Sequence, residues 1–303
     1  ISAITTETDW GNALEYTQNW VPGAPGGAEA KLLTGLCPLT THYFAIKSSN
    51  TVGISELDTS SPEPSAEADI FSLWSSTSVN YTCGVDWGDY DGDGDLDQLV
   101  CNQYSSISVY HNNGDGTFID VWSASPLLRY QSVDWGDFDN DGWLDILAGG
   151  GDIDMGIGQP IQVYHNDGGG NFSLVYESQE IEATNDIAWG DFDNDGDLDF
   201  VAANNNTFSR IYCNNGDGNF SSVWVSAQAD WTDVAVGDFN NDGKMDFAIG
   251  TDGGARVYRN DGDNKFEIAW QLTGLPSPNK CAFGDYDNDG FLDLLISDSY
   301  GSP

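Results

Sequence analysis

From residue 83 onward the chain repeats one order of apolar and polar positions. A first segment ends apolar-x-aromatic-glycine, as in Val85-Asp-Trp87-Gly, Val133-Asp-Trp135-Gly and Ile187-Ala-Trp189-Gly; Val236 and Phe283 hold the aromatic place in the last two copies. A polar, acidic stretch follows, and then an unbroken apolar run such as Ile146-Leu-Ala148, Phe200-Val-Ala202 or Leu294-Leu-Ile296. Runs of this kind predict strands covered on both faces. A third segment alternates and closes on tyrosine (Val109-Tyr110, Val163-Tyr164, Ile211-Tyr212, Val257-Tyr258). A glycine-rich turn, as in Asn112-Asn-Gly-Asp-Gly116, predicts a hairpin into a fourth strand with Phe118 and Trp122, Phe172 and Tyr176, Phe220 and Trp224, or Phe266 and Trp270. Successive copies start 48, 54, 47 and 47 residues apart. Four short strands repeated at that period predict an all-β chain built of β-propeller blades.

The acidic stretch carries the chemistry. Each copy reads D-x-[DN]-x-D-G-x-[LM]-D. Positions 1, 3, 5 and 9 are Asp89, Asp91, Asp93 and Asp97 in the first loop, and Asp137, Asp139, Asp141 and Asp145 in the second. They are Asp191, Asp193, Asp195 and Asp199 in the third, Asp238, Asn240, Asp242 and Asp246 in the fourth, and Asp285, Asp287, Asp289 and Asp293 in the fifth. Four like charges within nine residues repel unless a cation neutralises them, and a glycine at position 6 lets the backbone curl around one. Hard oxygen donors at this density suit Ca²⁺, which takes roughly 6–8 of them in a flexible shell. An EF-hand also opens D-x-D-x-D-G but needs a glutamate at position 12 and flanking helices. Position 12 here is Val100, Ala148, Ala202, Ile249 or Ile296, between strands, which excludes it.

Charge narrows the partners. Nine basic residues face 49 acidic ones, a net charge of −40. Nineteen of the acids are the loop carboxylates, and five bound Ca²⁺ leave about −30, so neither nucleic acid nor anionic membrane is an expected partner. No apolar stretch reaches the ~20 residues of a membrane-spanning helix, and Ile1–Trp10 lacks the basic start of a signal peptide. Of the five cysteines (Cys37, Cys83, Cys101, Cys213, Cys281), Cys83 and Cys101 flank the first loop on strands expected to pair; a disulfide and buried thiols are both open.

These repeats resemble the FG-GAP/VCBS family, the Ca²⁺-binding propeller repeats of integrin α-chains and secreted bacterial proteins. The Trp-Gly pairs and Phe283-Gly284 occupy its "FG" place, and Gly190-Asp-Phe-Asp-Asn-Asp-Gly196 is its most typical stretch. The resemblance implies about five Ca²⁺, held by the side chains at positions 1, 3, 5 and 9 and by the backbone carbonyl of position 7: Asp95, Trp143, Asp197, Lys244 and Phe291. It implies a propeller over 70–303, either a five-bladed ring or part of a larger one, with Phe71–Trp74 as a lone fourth strand. Residues 59–69 form a Pro/Ser/Glu-rich linker. Residues 1–58 resemble the later part of a fibronectin type III sandwich through Leu36, Pro38 and Thr40, although His42 stands where that family has tyrosine.

Catalysis finds no support: nearly every close carboxylate pair belongs to a loop, and no nucleophile elbow or phosphate cradle appears. His111 and His165 share a repeat position with Cys213 and Arg259, a variability that reads as exposed turn surface rather than a zinc site. A partner is expected on the face opposite the acidic loops. That face collects Tyr104, Tyr130, Asp152 and Asp154 of the insertion 149–160, Asn205, Phe208, Trp231, Asp252 and Tyr300, a set suited to a glycan or an extracellular protein. The expected function is a non-enzymatic adhesion or binding module, secreted or at the cell surface. The alternative is the non-catalytic propeller of a larger secreted polysaccharide-degrading enzyme.

Overall fold

The computed structural model describes residues 82–298, with breaks at 104–105, 125–127, 153–154, 206, 217, 231–232, 252 and 275–277, together with 49–50 and 53–54. The chain divides into two units, Ile1–Asp69 and Ile70–Pro303. In the first, β1 (Ser49–Asn50) pairs antiparallel with β2 (Gly53–Ile54). The rest of the fibronectin-like segment, the linker and Phe71–Trp74 lie outside the described residues.

The second unit is a series of antiparallel meanders. The first sheet runs β3 (Thr82–Gly88), β4 (Asp97–Asn102), β5 (Ser108–Asn112), β6 (Phe118–Ser123) in spatial as in chain order. The second holds β7 (Tyr130–Gly136), β8 (Asp145–Asp152), the short β9 (Ile157–Gly158) on the end of β8, then β10 (Gln162–Asn166) and β11 (Phe172–Glu177). The third is β12 (Thr184–Gly190), β13 (Asp199–Asn204), β14 (Thr207–Asn214) and β15 (Phe220–Asp230). The fourth is β16 (Val234–Gly237), β17 (Asp246–Thr251), β18 (Gly254–Asn260) and β19 (Phe266–Thr273). A pair, β20 (Pro278–Gly284) and β21 (Asp293–Asp298), begins a fifth. The described residues therefore carry four complete blades of a propeller-like fold and the first two strands of another.

The apolar runs become second strands buried on both faces: every residue of β8, β13 and β17 is buried. Their side chains do not make a core within a blade. They fill the wedge between one blade and the next, as where Phe138, Leu147 and Val163 of blade two meet Trp189, Phe200, Tyr212 and Phe220 of blade three. The Trp-Gly pair follows from this packing. A Cβ on Gly136 would lie 2.6 Å from Trp189 Cδ1 and 2.9 Å from Leu198 Cδ1, so the next blade's tryptophan needs that bare backbone. Trp135 and Trp189 are 8% and 9% exposed, whereas Trp87, with no described blade in front of it, is 50% exposed.

Cys83 and Cys101 carry thiols, not a disulfide. Gly84 pairs with Cys101 and Thr82 with Asn102, and the bulge between leaves Cys83 out of register.

Candidate metal centres

The acidic loops join the first two strands of each blade and share one conformation. In the second loop the backbone N–H of Asp141 donates to Asp137 Oδ1 at 3.0 Å and that of Gly142 to Asp137 Oδ2 at 2.9 Å. The N–H of Trp143 donates to Asp141 Oδ1 at 2.9 Å, and that of Phe138 to Asp145 Oδ2 at 3.1 Å. The same bonds recur in the fifth loop on Asp285, Asp289 and Asp293. The curl needs left-handed backbone at position 4, where Asn140, Asn194, Asn241 and Asn288 have φ of 58–61°, a conformation asparagine tolerates.

The curl brings donor atoms together. Carboxylate oxygens of Asp89, Asp91 and Asp93 lie within 4.8 Å of one another, as do those of Asp137, Asp139 and Asp145. Asp191 Oδ1 in the third loop is shielded from solvent and accepts no hydrogen bond. Position 9 is sunk deepest: Asp97, Asp145, Asp199 and Asp246 are all 0% exposed. Burial pushes the Asp145 carboxyl up to about 7 and those of Asp199 and Asp246 up to about 6. Carboxylates so placed need a positive partner to stay ionised, and carboxylate oxygens gathered in this shape fit a hard divalent cation.

The fourth loop differs. Asn240 Nδ2 donates to Asp246 Oδ2 at 3.1 Å, and Lys244 Nζ donates to Asp242 Oδ2 at 3.3 Å. The loop thus turns two of its own groups against the oxygens that a cation would use.

An asparagine that the sequence reading passed over ties each loop to its neighbours. Asn214 Nδ2 donates to Leu198 O of its own blade at 3.3 Å and to Phe138 O of the preceding acidic loop at 2.8 Å. Asn166 and Asn260 do the same to Tyr90 O and Phe192 O, at 2.9 and 2.7 Å. Its signal was present in the sequence: asparagine recurs two residues after each third-strand tyrosine, at 112, 166, 214 and 260.

A second row of carboxylates runs along the first strands. Asp86 accepts from Trp135 N, Asp134 from Trp189 N and Asp186 from Val234 N, each at 3.0 Å, and Asp233 accepts from Cys281 N at 2.6 Å. Each aspartate thus grips the backbone of the next blade. Asp86, Asp134, Asp186 and Lys280 line a cavity of about 400 Å³, where the Lys280 ammonium pairs with Asp233 and lies 4.0 Å from Asp186. Burial, with Asp86 beside it, pushes Asp134 up to about 7. Burial and neighbouring Asp233 push Asp186 up to about 7 against the pull of Lys280.

The expected partner face is only partly as anticipated. Tyr130 is fully buried, its hydroxyl 2.7 Å from Gln162 Oε1, because it begins β7 inside the wedge between blades one and two. Asp152 is 6% exposed and ion-paired with Arg129, because the insertion folds back as β9 on the end of β8. Neither is presented to a ligand. Phe208 is 46% exposed and Asn205 half-buried, with its N–H on Ala183 O. Tyr104, Asp154, Trp231, Asp252 and Tyr300 lie outside the described residues.

The histidines also depart from expectation. They are not loose turn surface: His111 and His165 are 22% and 28% exposed, with each Nδ1 turned into its blade's acidic loop.

Blades with this loop, packed in series through their first strands, define a class of repeat protein. The FG-GAP-like repeat model matches residues 89–148, 151–202, 191–249 and 238–296, over half of the chain, and the chain belongs to that family. No curated protein sequence matches it significantly. Among solved structures it is similar to an Agrocybe aegerita lectin, described for specific recognition of non-reducing terminal N-acetylglucosamine. Identity there is 20% and TM-score 0.50, over 72% of this chain and 60% of that one. It is also similar to BBS1N in a complex with ARL6DN, soaked with lead, at 13% identity and TM-score 0.47, over 68% of this chain and 60% of that one. The chain thus spans about three fifths of each of these neighbours.

Proposed function

We propose that this chain is a non-catalytic binding module, secreted or held at the cell surface, whose acidic loops carry about five structural Ca²⁺. The observation that supports it most is the convergence of carboxylate oxygens in loops one and two, beside position 9 aspartates that are fully buried. A cation there would tie first strand to second, and the loop to the asparagine of the next blade. Its role is mechanical: it holds the blade ends so that the opposite face stays shaped for a partner.

That partner is proposed to be a glycan or an extracellular protein. The lectin among the structural neighbours shares the fold at 20% identity and lends the glycan reading no residues. The test is a glycan array, with extracellular proteins in parallel, run on the full chain in Ca²⁺. Phe208→Ala is the face variant, because it is exposed and sits at the start of β14, at the strand end away from the acidic loop that joins β12 to β13. Binding that falls at least tenfold in that variant, with Ca²⁺ stoichiometry unchanged, supports the reading. Absence of any bound glycan or protein contradicts it.

A further inference from the structure

The repeat position after the third-strand tyrosine is occupied differently in each blade. It is His111, His165, Cys213 and Arg259 in blades one to four. In blade one, His111 Nδ1 lies 3.2 Å from both Asp91 Oδ2 and Asp97 Oδ1. In blade two, His165 Nδ1 lies 3.3 Å from both Asp139 Oδ2 and Asp145 Oδ1. Both nitrogens are sealed from solvent, and neither makes a hydrogen bond of acceptable geometry. An N–H serving an ordinary ion pair aims at one oxygen; here the nitrogen sits evenly between two and serves neither. Two ligands about 2.0 Å from a tetrahedral metal lie about 3.3 Å apart, the separation found in both blades. The rings are held edge-on against Tyr90 and Phe138, with centroids 6.2 Å apart in each case. The arrangement occurs twice, independently, at equivalent places.

We propose that loops one and two are mixed imidazole–carboxylate sites that take a borderline divalent transition metal such as Zn²⁺, with His111 and His165 each supplying Nδ1. The partners are Asp91 and Asp97 in the first site and Asp139 and Asp145 in the second. Imidazole suits Zn²⁺ and its first-row neighbours, whereas Ca²⁺ takes oxygen. Loop three offers no imidazole: Cys213 stands in that place, its Sγ within 4.8 Å of Asp193 and Asp199 oxygens and its S–H also on Asn264 Oδ1 at 3.5 Å. Nor does loop four, where Arg259 pairs with Asp261 at 2.7 Å. The proposal rests on the reading of the loops as cation sites. It adds that two of them discriminate among cations, Zn²⁺ competing with Ca²⁺ there alone.

Calorimetric titration of the full chain with Zn²⁺ alone, Ca²⁺ alone and Zn²⁺ in excess Ca²⁺ tests it, on wild type, His111→Gln, His165→Gln and the double variant. Two Zn²⁺ should bind the wild type at least tenfold more tightly than any further Zn²⁺. Each single variant should lose one and the double variant both, with Ca²⁺ stoichiometry unchanged. Two tight Zn²⁺ surviving in the double variant would overturn the proposal, as would a wild type that binds Ca²⁺ without tight Zn²⁺; in both cases the calcium reading stands. A wild type that binds neither ion sinks both.

Discussion

The molecule carries two rows of aspartates, and they solve the same electrostatic problem in opposite ways. Along the first strands, Asp86, Asp134, Asp186 and Asp233 each accept a backbone N–H from the next blade, and Lys280 pairs with the last of them. Asp134 and Asp186, raised to about 7 by burial and their neighbours, hold protons well above the usual carboxylate range. That row is closed: protein groups and protons compensate it. In the acidic loops the backbone N–H bonds fix the curl but leave oxygens of three carboxylates gathered around a point in loops one and two. Among the described residues, no Lys or Arg reaches the loops of blades one to three. That row is open, and the divalent cation proposed above would close it. Carboxyls raised by burial, which both rows hold, do not by themselves mark a metal site; what matters is whether the fold already supplies the counter-charge.

The strongest way to break this comparison is at the asparagine joining loops to neighbours. Asn214→Ala strands the Phe138 and Leu198 carbonyls in a buried junction and should cost roughly 2–4 kcal/mol by urea denaturation. Among the described residues Asn112 Nδ2 donates only to Leu96 O, at 3.0 Å in an exposed setting, so Asn112→Ala should cost about 1 kcal/mol. Equal losses would mean that the inter-blade bond contributes little.

A smaller effect comes from the closed row. The folded-state pKa of Asp134 is about 7, above its ordinary value, so the native state binds more protons than the unfolded chain. Its contribution to stability is therefore greatest in acid and is lost as pH rises through about 7. Asp134→Asn keeps an acceptor for Trp189 N–H but removes the charge. In excess Ca²⁺, which holds the loops constant, the variant should gain on the order of 1–2 kcal/mol over wild type at pH 8 and little at pH 5. A variant that lags equally at both pH values would show Asp134 to be ionised and well solvated.

The smallest effect sharpens the open row. Asn240→Asp restores the missing carboxylate of loop four and removes the amide that faces Asp246. Ca²⁺ affinity there should rise, by up to about tenfold, with Lys244 limiting the gain through its bond to Asp242. Calorimetry showing loop four already as tight as loop three contradicts this ranking.

The blades were legible because strand period, turn glycines and the acidic motif agree at every repeat. The curl was legible at position 6, where glycine has positive φ in every loop, whereas the left-handed backbone at position 4 came only with the structure. What escaped depends on pairs far apart in sequence. Tyr130 follows a loop and looked like surface, but the neighbouring blade's wedge swallows it. Asp152 lay in an insertion that folds onto its own strand end and meets Arg129. His111 and His165 were judged by the variability of their position, yet that variability changes which donor faces the loop. The inner aspartates shift register between blades, Asp86 and Asp134 lying one residue before the tryptophan and Asp186 three before, which hides the row from any simple repeat alignment.

The central claim, that the open row is completed by a divalent cation, is tested most directly by thermal melts of the full chain in Ca²⁺ and in chelator. With free Ca²⁺ about a hundredfold above Kd, each occupied site adds roughly 2.7 kcal/mol, so chelation should lower the midpoint well beyond the effect of any single substitution above. Superimposable melting curves would contradict the account.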